Sequence, residues 1–119
     1  MTEFDTKELA LLCARACDER KGEDIRVLDV RDQLPIVDYF ILATGRNRRH
    51  LRSMADEIRR LQRDRLGKEV PREEGSNDGG RWLLLDLGDV IVHLFDAETR
   101  SFYDIDGLWA DAPRVAISA

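Results

Sequence analysis

The sequence predicts a single α/β domain, built on a mixed sheet of about five strands with two main helices packed on it. Three observations carry that expectation. Two long segments repeat apolar residues at helical spacing, five shorter ones read as strands, and the two kinds alternate along the chain. At 119 residues the chain suits one compact domain, expected over residues 1–112, with a flexible tail at 113–119. A hydrophobic content of 43 % is enough for a core without disulfide or metal support.

The first helix is expected from Asp5 to Arg20. Leu9, Leu12, Cys13, Ala16 and Cys17 fall on one face, and Asp5 or Thr6 can cap it. Lys21-Gly22 is a stop signal, glycine tolerating the left-handed cap. Ile25–Val30 is short and rich in β-branched residues, so it reads as a strand. Leu34-Pro35-Ile36-Val37 reads as a loop, because proline interrupts a ladder. Asp38–Ala43 is apolar on both parities, the mark of an inner strand.

The second helix is expected from a cap at Asn47 to Leu66, with Leu51, Met54, Ala55, Ile58, Leu61 and Leu66 as its buried stripe and Gly67 as its stop. Val70-Pro71-Arg72 is a weak edge strand, and the glycine-rich stretch Glu73–Gly80 is the expected mobile loop. Arg81–Asp86 and Asp89–Phe95 flank Leu87-Gly88 as a tight hairpin. Short helical turns are expected at Asp96–Arg100 and Asp106–Asp111, and a frayed end from Pro113. The hairpin is apolar on both faces, with Trp82 and Leu84 on one side and Leu83 and Leu85 on the other. Two helices cannot cover both sheet faces, so one side is a candidate apolar contact surface unless the short C-terminal helices cover it.

Charge narrows the function classes. The net charge is −5, a poor basis for indiscriminate nucleic-acid binding. Between Arg46 and Arg65, eight arginines stand against three acidic residues, so that segment is +5 and the rest of the chain −10. A basic helix on an acidic body can orient a protein near phosphate, although a solvated helix face is the simpler reading. The acidic N-terminus lacks the apolar core of a signal peptide, and no apolar run nears the ~20 residues of a membrane span. With two cysteines, a reducing cytoplasm is the expected compartment.

Chemistry-bearing residues are sparse. Cys13 and Cys17 lie on the apolar stripe without further metal-type residues near them, so they read as buried thiols. His50 and His93 stand in no nucleophile motif and read as packed or surface residues. Thr44-Gly45 before a helix could receive an anion, or simply belong to its cap. Asp104 and Asp106 resemble a magnesium-binding pair of nucleotidyl transfer, but no glycine-rich phosphate loop accompanies them. No cofactor and no metal is expected. Trp82, which opens a strand after a glycine loop, is either a core anchor or an interface hot spot. Trp109 is expected to fold back over the sheet.

Several segments together resemble the ribosomal silencing factor (RsfS, or Iojap) family. They are Asp24–Val30, Asp38–Ile41, Thr44-Gly45 with Arg49-His50, Trp82–His93, Arg100, Tyr103 and Leu108-Trp109. The likeness spans about Leu9 to Ala112 and is most specific in the hairpin. It departs at Asn47, where a small hydroxyl residue is usual, at the extra Arg46 and Arg48, and at Asp106, where glutamate is commoner. The resemblance implies a nucleotidyltransferase-like core without the catalytic signature. It implies a non-enzymatic factor that binds the large ribosomal subunit through ribosomal protein uL14 and sterically blocks the small subunit, repressing translation. The contact residues it implies are Trp82, Leu83 and Asp86, with Tyr103. Arg46, Arg48, Arg49 and Arg52 are the candidates for a peripheral ribosomal RNA contact. Two alternatives stay open: a minimal nucleotidyltransferase using Asp104 and Asp106, and a homodimer that hides the hairpin face.

Overall fold

The computed structural model describes residues 5–75 and 79–117, as four helices and six strands. In chain order these are α1 (Thr6–Glu19), β1 (Glu23–Asp29), β2 (Tyr39–Gly45), α2 (Arg48–Leu66), β3 (Arg72–Glu74), β4 (Trp82–Asp86), β5 (Val90–Asp96), α3 (Ala97–Phe102), α4 (Ile105–Leu108) and β6 (Arg114–Val115). The sheet runs β3-β4-β5-β2-β1-β6. Among the described residues only the central β2–β5 pair is parallel; the other pairs are antiparallel.

Strand β2 explains the layering. All seven of its residues are buried, so both of its faces are covered. Ile41 and Ala43 join Val27, Val92, Leu94, Leu83 and Leu85 under α1 and α2. Phe40 and Leu42 join Leu28, Phe95, Ile105 and Ala112 on the opposite face, where α3 and α4 lie. A buried leucine, isoleucine or phenylalanine contributes about 1.5–3 kcal/mol, so this two-sided burial secures the central strands. Trp109 does fold back, its ring meeting Phe40 edge-on with centroids 4.8 Å apart.

Both main helices start where the sequence places them. The Asp5 carboxylate accepts from the Lys7 N–H at 3.2 Å, and the Asn47 side-chain oxygen accepts from the His50 N–H at 2.8 Å. The end of α1 differs from expectation. Lys21, not Gly22, takes the left-handed conformation, with φ 64°. Gly22 is needed for closeness instead: a Cβ there would lie 2.8 Å from the Met54 sulfur and 3.0 Å from the Cys17 carbonyl oxygen.

Three further corrections concern the sheet edges. The edge strand β3 lies at Arg72–Glu74, because Pro71 has no N–H to donate and Val70 is committed to the core. That places Glu73 and Glu74, expected in the loop, within a strand; residues 76–78 of that loop lie outside the described residues. The chain after Pro113 is not wholly frayed. Arg114 and Val115 pair with Leu28 and Val27, and the Asp29 N–H donates to the Pro113 carbonyl at 2.8 Å. The sheet therefore has six strands rather than five. Among the described residues no helix is long and apolar enough to cross a membrane.

Candidate functional site

The pleat of β4 sorts its side chains into two sets. Leu83 and Leu85 are 2 % and 0 % exposed and sit in the core beneath α1 and α2. Trp82, Leu84 and Asp86 point to the other face and are only partly buried. Leu83, expected as a contact residue, is buried in the core, its side chain on the face opposite the one that Trp82 presents. Short helices α3 and α4 cover the middle of that outer face but leave the β4 side open, so the two readings of the hairpin each hold for part of it.

An aromatic cluster occupies the open part. The Trp82 ring lies 5.1 Å from Tyr103 and 5.9 Å from Phe95, and Tyr103 meets Phe102 edge-on at 4.9 Å. Tyr103 is 54 % exposed and Phe102 79 %. Beside them an open groove of about 580 Å³ is lined by Trp82, Leu84, Thr99, Phe102 and Tyr103, with Glu74, Gly75, Arg81 and Glu98 at its margin. Arg81 bridges Asp96 and Glu98, each at 3.1 Å, so that margin carries paired charge. Leu84 and Phe102 were missed in sequence; the alternation that groups Leu84 with Trp82 is the only signal for the first, and none marks the second.

Behind Trp82 lies His93, 8 % exposed. The indole N–H donates to His93 Nδ1 at 3.2 Å. Burial pushes the imidazole down from 6.5 to about 4, so the ring is neutral near pH 7. Asp86, expected to meet a basic residue of a partner, uses one carboxylate oxygen to accept from the Gly88 N–H at 2.8 Å, which closes the hairpin turn.

The arginines of α2 divide into two groups. Arg52 and Arg59 both bind the Glu73 carboxylate, fastening α2 to the edge strand β3. Burial raises the Glu73 carboxyl, but the two arginines outweigh it and leave the group below its ordinary value. Arg60 and Arg20 hold the buried Glu57 in the same way, each at 2.8 Å, which ties α2 to α1. Arg52, expected among the candidates for an RNA contact, is thus engaged in an internal pair. Arg48 donates to the Gly79 carbonyl at 3.0 Å and remains exposed; Arg46 and Arg49 are exposed with no acidic partner among the described residues. His50 is packed, Nδ1 accepting from the Arg46 N–H at 2.9 Å while Nε2 meets the Arg20 carbonyl at 2.7 Å.

Asp104 and Asp106 do not form a metal pair. Asp104 caps α4, accepting from the Gly107 N–H at 3.2 Å with its own φ at 48°. Asp106 is clamped by the nearly buried Arg100 at 2.8 and 2.9 Å and by Arg26 at 2.8 Å. The Arg100 hydrogen bonds, ahead of the opposing effect of burial, hold its carboxyl below the usual range. Among the described residues no group of three or more histidine, cysteine or acidic side chains converges on a metal-sized site. Both thiols are fully buried, and desolvation raises them, Cys17 to about 12.

Comparison with known proteins shows the family and the fold. The family model "Ribosomal silencing factor during starvation" matches residues 3–119. The ribosomal silencing factor RsfS of Bacillus subtilis (strain 168) is 40 % identical over 110 residues, covering 92 % of each chain. A mouse protein named mitochondrial assembly of ribosomal large subunit protein 1 is 30 % identical over 93 residues, 76 % of this chain and 40 % of its own. A crystal structure from Bacillus halodurans superposes with a TM-score of 0.79 at 32 % identity, covering 93 % of this chain and 99 % of the other. With a family model matched over nearly its whole length, the chain belongs to the ribosomal silencing factor family.

Proposed function

We propose that this protein docks on the large ribosomal subunit through the outer face of its hairpin and thereby hinders joining of the small subunit. The observation that carries the reading is the half-open aromatic cluster of Trp82, Tyr103 and Phe102 beside a groove on an otherwise highly charged surface. Rings held by their neighbours and open to solvent on one side are suited to a protein partner, since they lose little entropy on docking. The mouse relative's name supports the large subunit as that partner.

On this reading Trp82 is the anchor, with Leu84 and Tyr103 around it, and the partner is ribosomal protein uL14 at the joining surface. Asp86 contributes its remaining carboxylate oxygen to a basic group of the partner. Arg46, Arg48 and Arg49, at the start of α2, add a peripheral RNA contact that weakens with salt. Inhibition then needs no chemistry, only a body placed where the small subunit would sit. Binding and steric exclusion together give translational repression without catalysis.

The test is sedimentation of the purified protein with isolated large or small subunits at two salt concentrations. Pelleting with the large subunit alone supports the reading. Pelleting with neither, or equally with both, contradicts it.

A further inference from the structure

We propose that His93 is the positioning residue for Trp82, holding the indole N–H inward so that the docking surface presents ring carbon rather than a hydrogen-bond donor. The inference rests on the reading of the Trp82 face as the docking surface.

A neutral imidazole has one acceptor nitrogen and one N–H. The Trp82 Nε1–H occupies Nδ1 at 3.2 Å, which places the imidazole proton on Nε2. That Nε2 is fully buried and has no partner among the described residues. An unpaired buried donor is a cost that folded proteins ordinarily avoid. A leucine would fill the same slot between Phe40, 4.8 Å away, and Phe95, 6.3 Å away, without that cost. The histidine is explained by what its other nitrogen does.

Strand register supports the assignment. His93 lies opposite Leu84, and Trp82 opposite Phe95, so His93 and Trp82 are diagonal neighbours on one sheet face. From there Nδ1 accepts the indole N–H, the two rings tilted at 46°, and fixes the indole's rotation, while Tyr103 packs beside it at 5.1 Å. With its N–H spent internally, the indole can offer a partner only apolar and π contact. Trp82→Phe should therefore retain much of the binding that Trp82→Ala loses.

Two readouts test this on the full chain. The first is solvent exchange of the Trp82 indole N–H by NMR, its resonance assigned by its loss in Trp82→Phe. His93→Leu should accelerate that exchange by about tenfold, a change typical of losing one neutral hydrogen bond. His93→Asn, whose Oδ1 replaces the Nδ1 acceptor, should restore most of the protection. The second readout is affinity for isolated large subunits, expected to fall about fivefold in His93→Leu and to recover in His93→Asn. An unchanged exchange rate in His93→Leu would overturn the clamp. So would faster exchange with unaltered affinity, provided Trp82→Ala still loses binding. Full binding by Trp82→Ala would instead sink the docking face itself, a separate failure visible without the NMR result.

Discussion

Arg100 and Asp106 meet across the turn between α3 and α4, the guanidinium Nε and Nη2 donating to the two carboxylate oxygens at 2.8 and 2.9 Å. The remaining Nη1 of Arg100 reaches the Asp24 carbonyl and the Thr44 hydroxyl at 2.8 and 2.9 Å. One side chain thus fastens the C-terminal helices to β1 and β2 beneath them. Of the two aspartates that resemble a catalytic pair in sequence, Asp106 belongs to this latch and Asp104 caps α4.

Asp106→Ala leaves the buried Arg100 without its carboxylate. Because Asp106 keeps about a third of its exposure, the loss should be about 2–3 kcal/mol, below that of a fully buried pair. Urea unfolding would measure it. A loss under about 0.5 kcal/mol, the level of a surface pair, would contradict the latch.

Acid stability follows from groups whose folded values lie below their unfolded ones. His93 stands at about 4 against 6.5. As pH falls through 6.5 the unfolded chain takes up a proton that the folded chain refuses, so stability declines until about pH 4. Glu57, Glu73 and Asp106, all lowered by arginines, keep their contribution above the usual carboxylate range and lose it as pH falls through their folded values. His93→Leu should flatten the decline between about pH 6.5 and 4 and leave the more acidic one intact. An identical profile in the variant would contradict the assignment.

Gly75 lies where the chain leaves β3, with φ 101°, and a Cβ there would stand 1.9 Å from the Trp82 carbonyl oxygen. Gly75→Ala combines a left-handed backbone with a backbone clash. It should cost about 1–3 kcal/mol and disturb the indole environment, seen as a shift in tryptophan emission. An unshifted spectrum and melting curve would argue against it.

Both cysteines are buried and raised. A thiol reagent should modify neither in the native protein at pH 7 and both after denaturation. Rapid labelling of either in the folded state would contradict their place in the core.

The helices and the hairpin were legible because their signals are local. Asn47 and Gly67 bracket α2, and the Leu87-Gly88 turn sets the strand pairing. The face of the hairpin was not legible. Period-two alternation separates Trp82 from Leu83, but with apolar residues at both parities nothing local says which set the helices cover. The same holds for Arg100 with Asp24 and Thr44, or Arg52 with Glu73, which are distant in sequence and meet only once the sheet forms. Strand β6 escaped notice because two residues carry no pattern until Leu28 offers them an edge. Of the residues expected at the contact, Trp82 and Asp86 lie on the outer face of the hairpin with Tyr103 beside Trp82, Leu83 lies in the core, and Leu84 shares the face of Trp82.

The most direct measurement compares Trp82→Ala and Leu83→Ala in a subunit-joining assay, with each variant's unfolding followed in parallel. Trp82→Ala should fold, lose about 2 kcal/mol or more of large-subunit affinity, and let the joined-ribosome peak return. Leu83→Ala should lose about 2–5 kcal/mol of stability, and whatever stays folded should still block joining. A folded Trp82→Ala protein that suppresses joining as well as the unaltered chain does would contradict the assignment of this face.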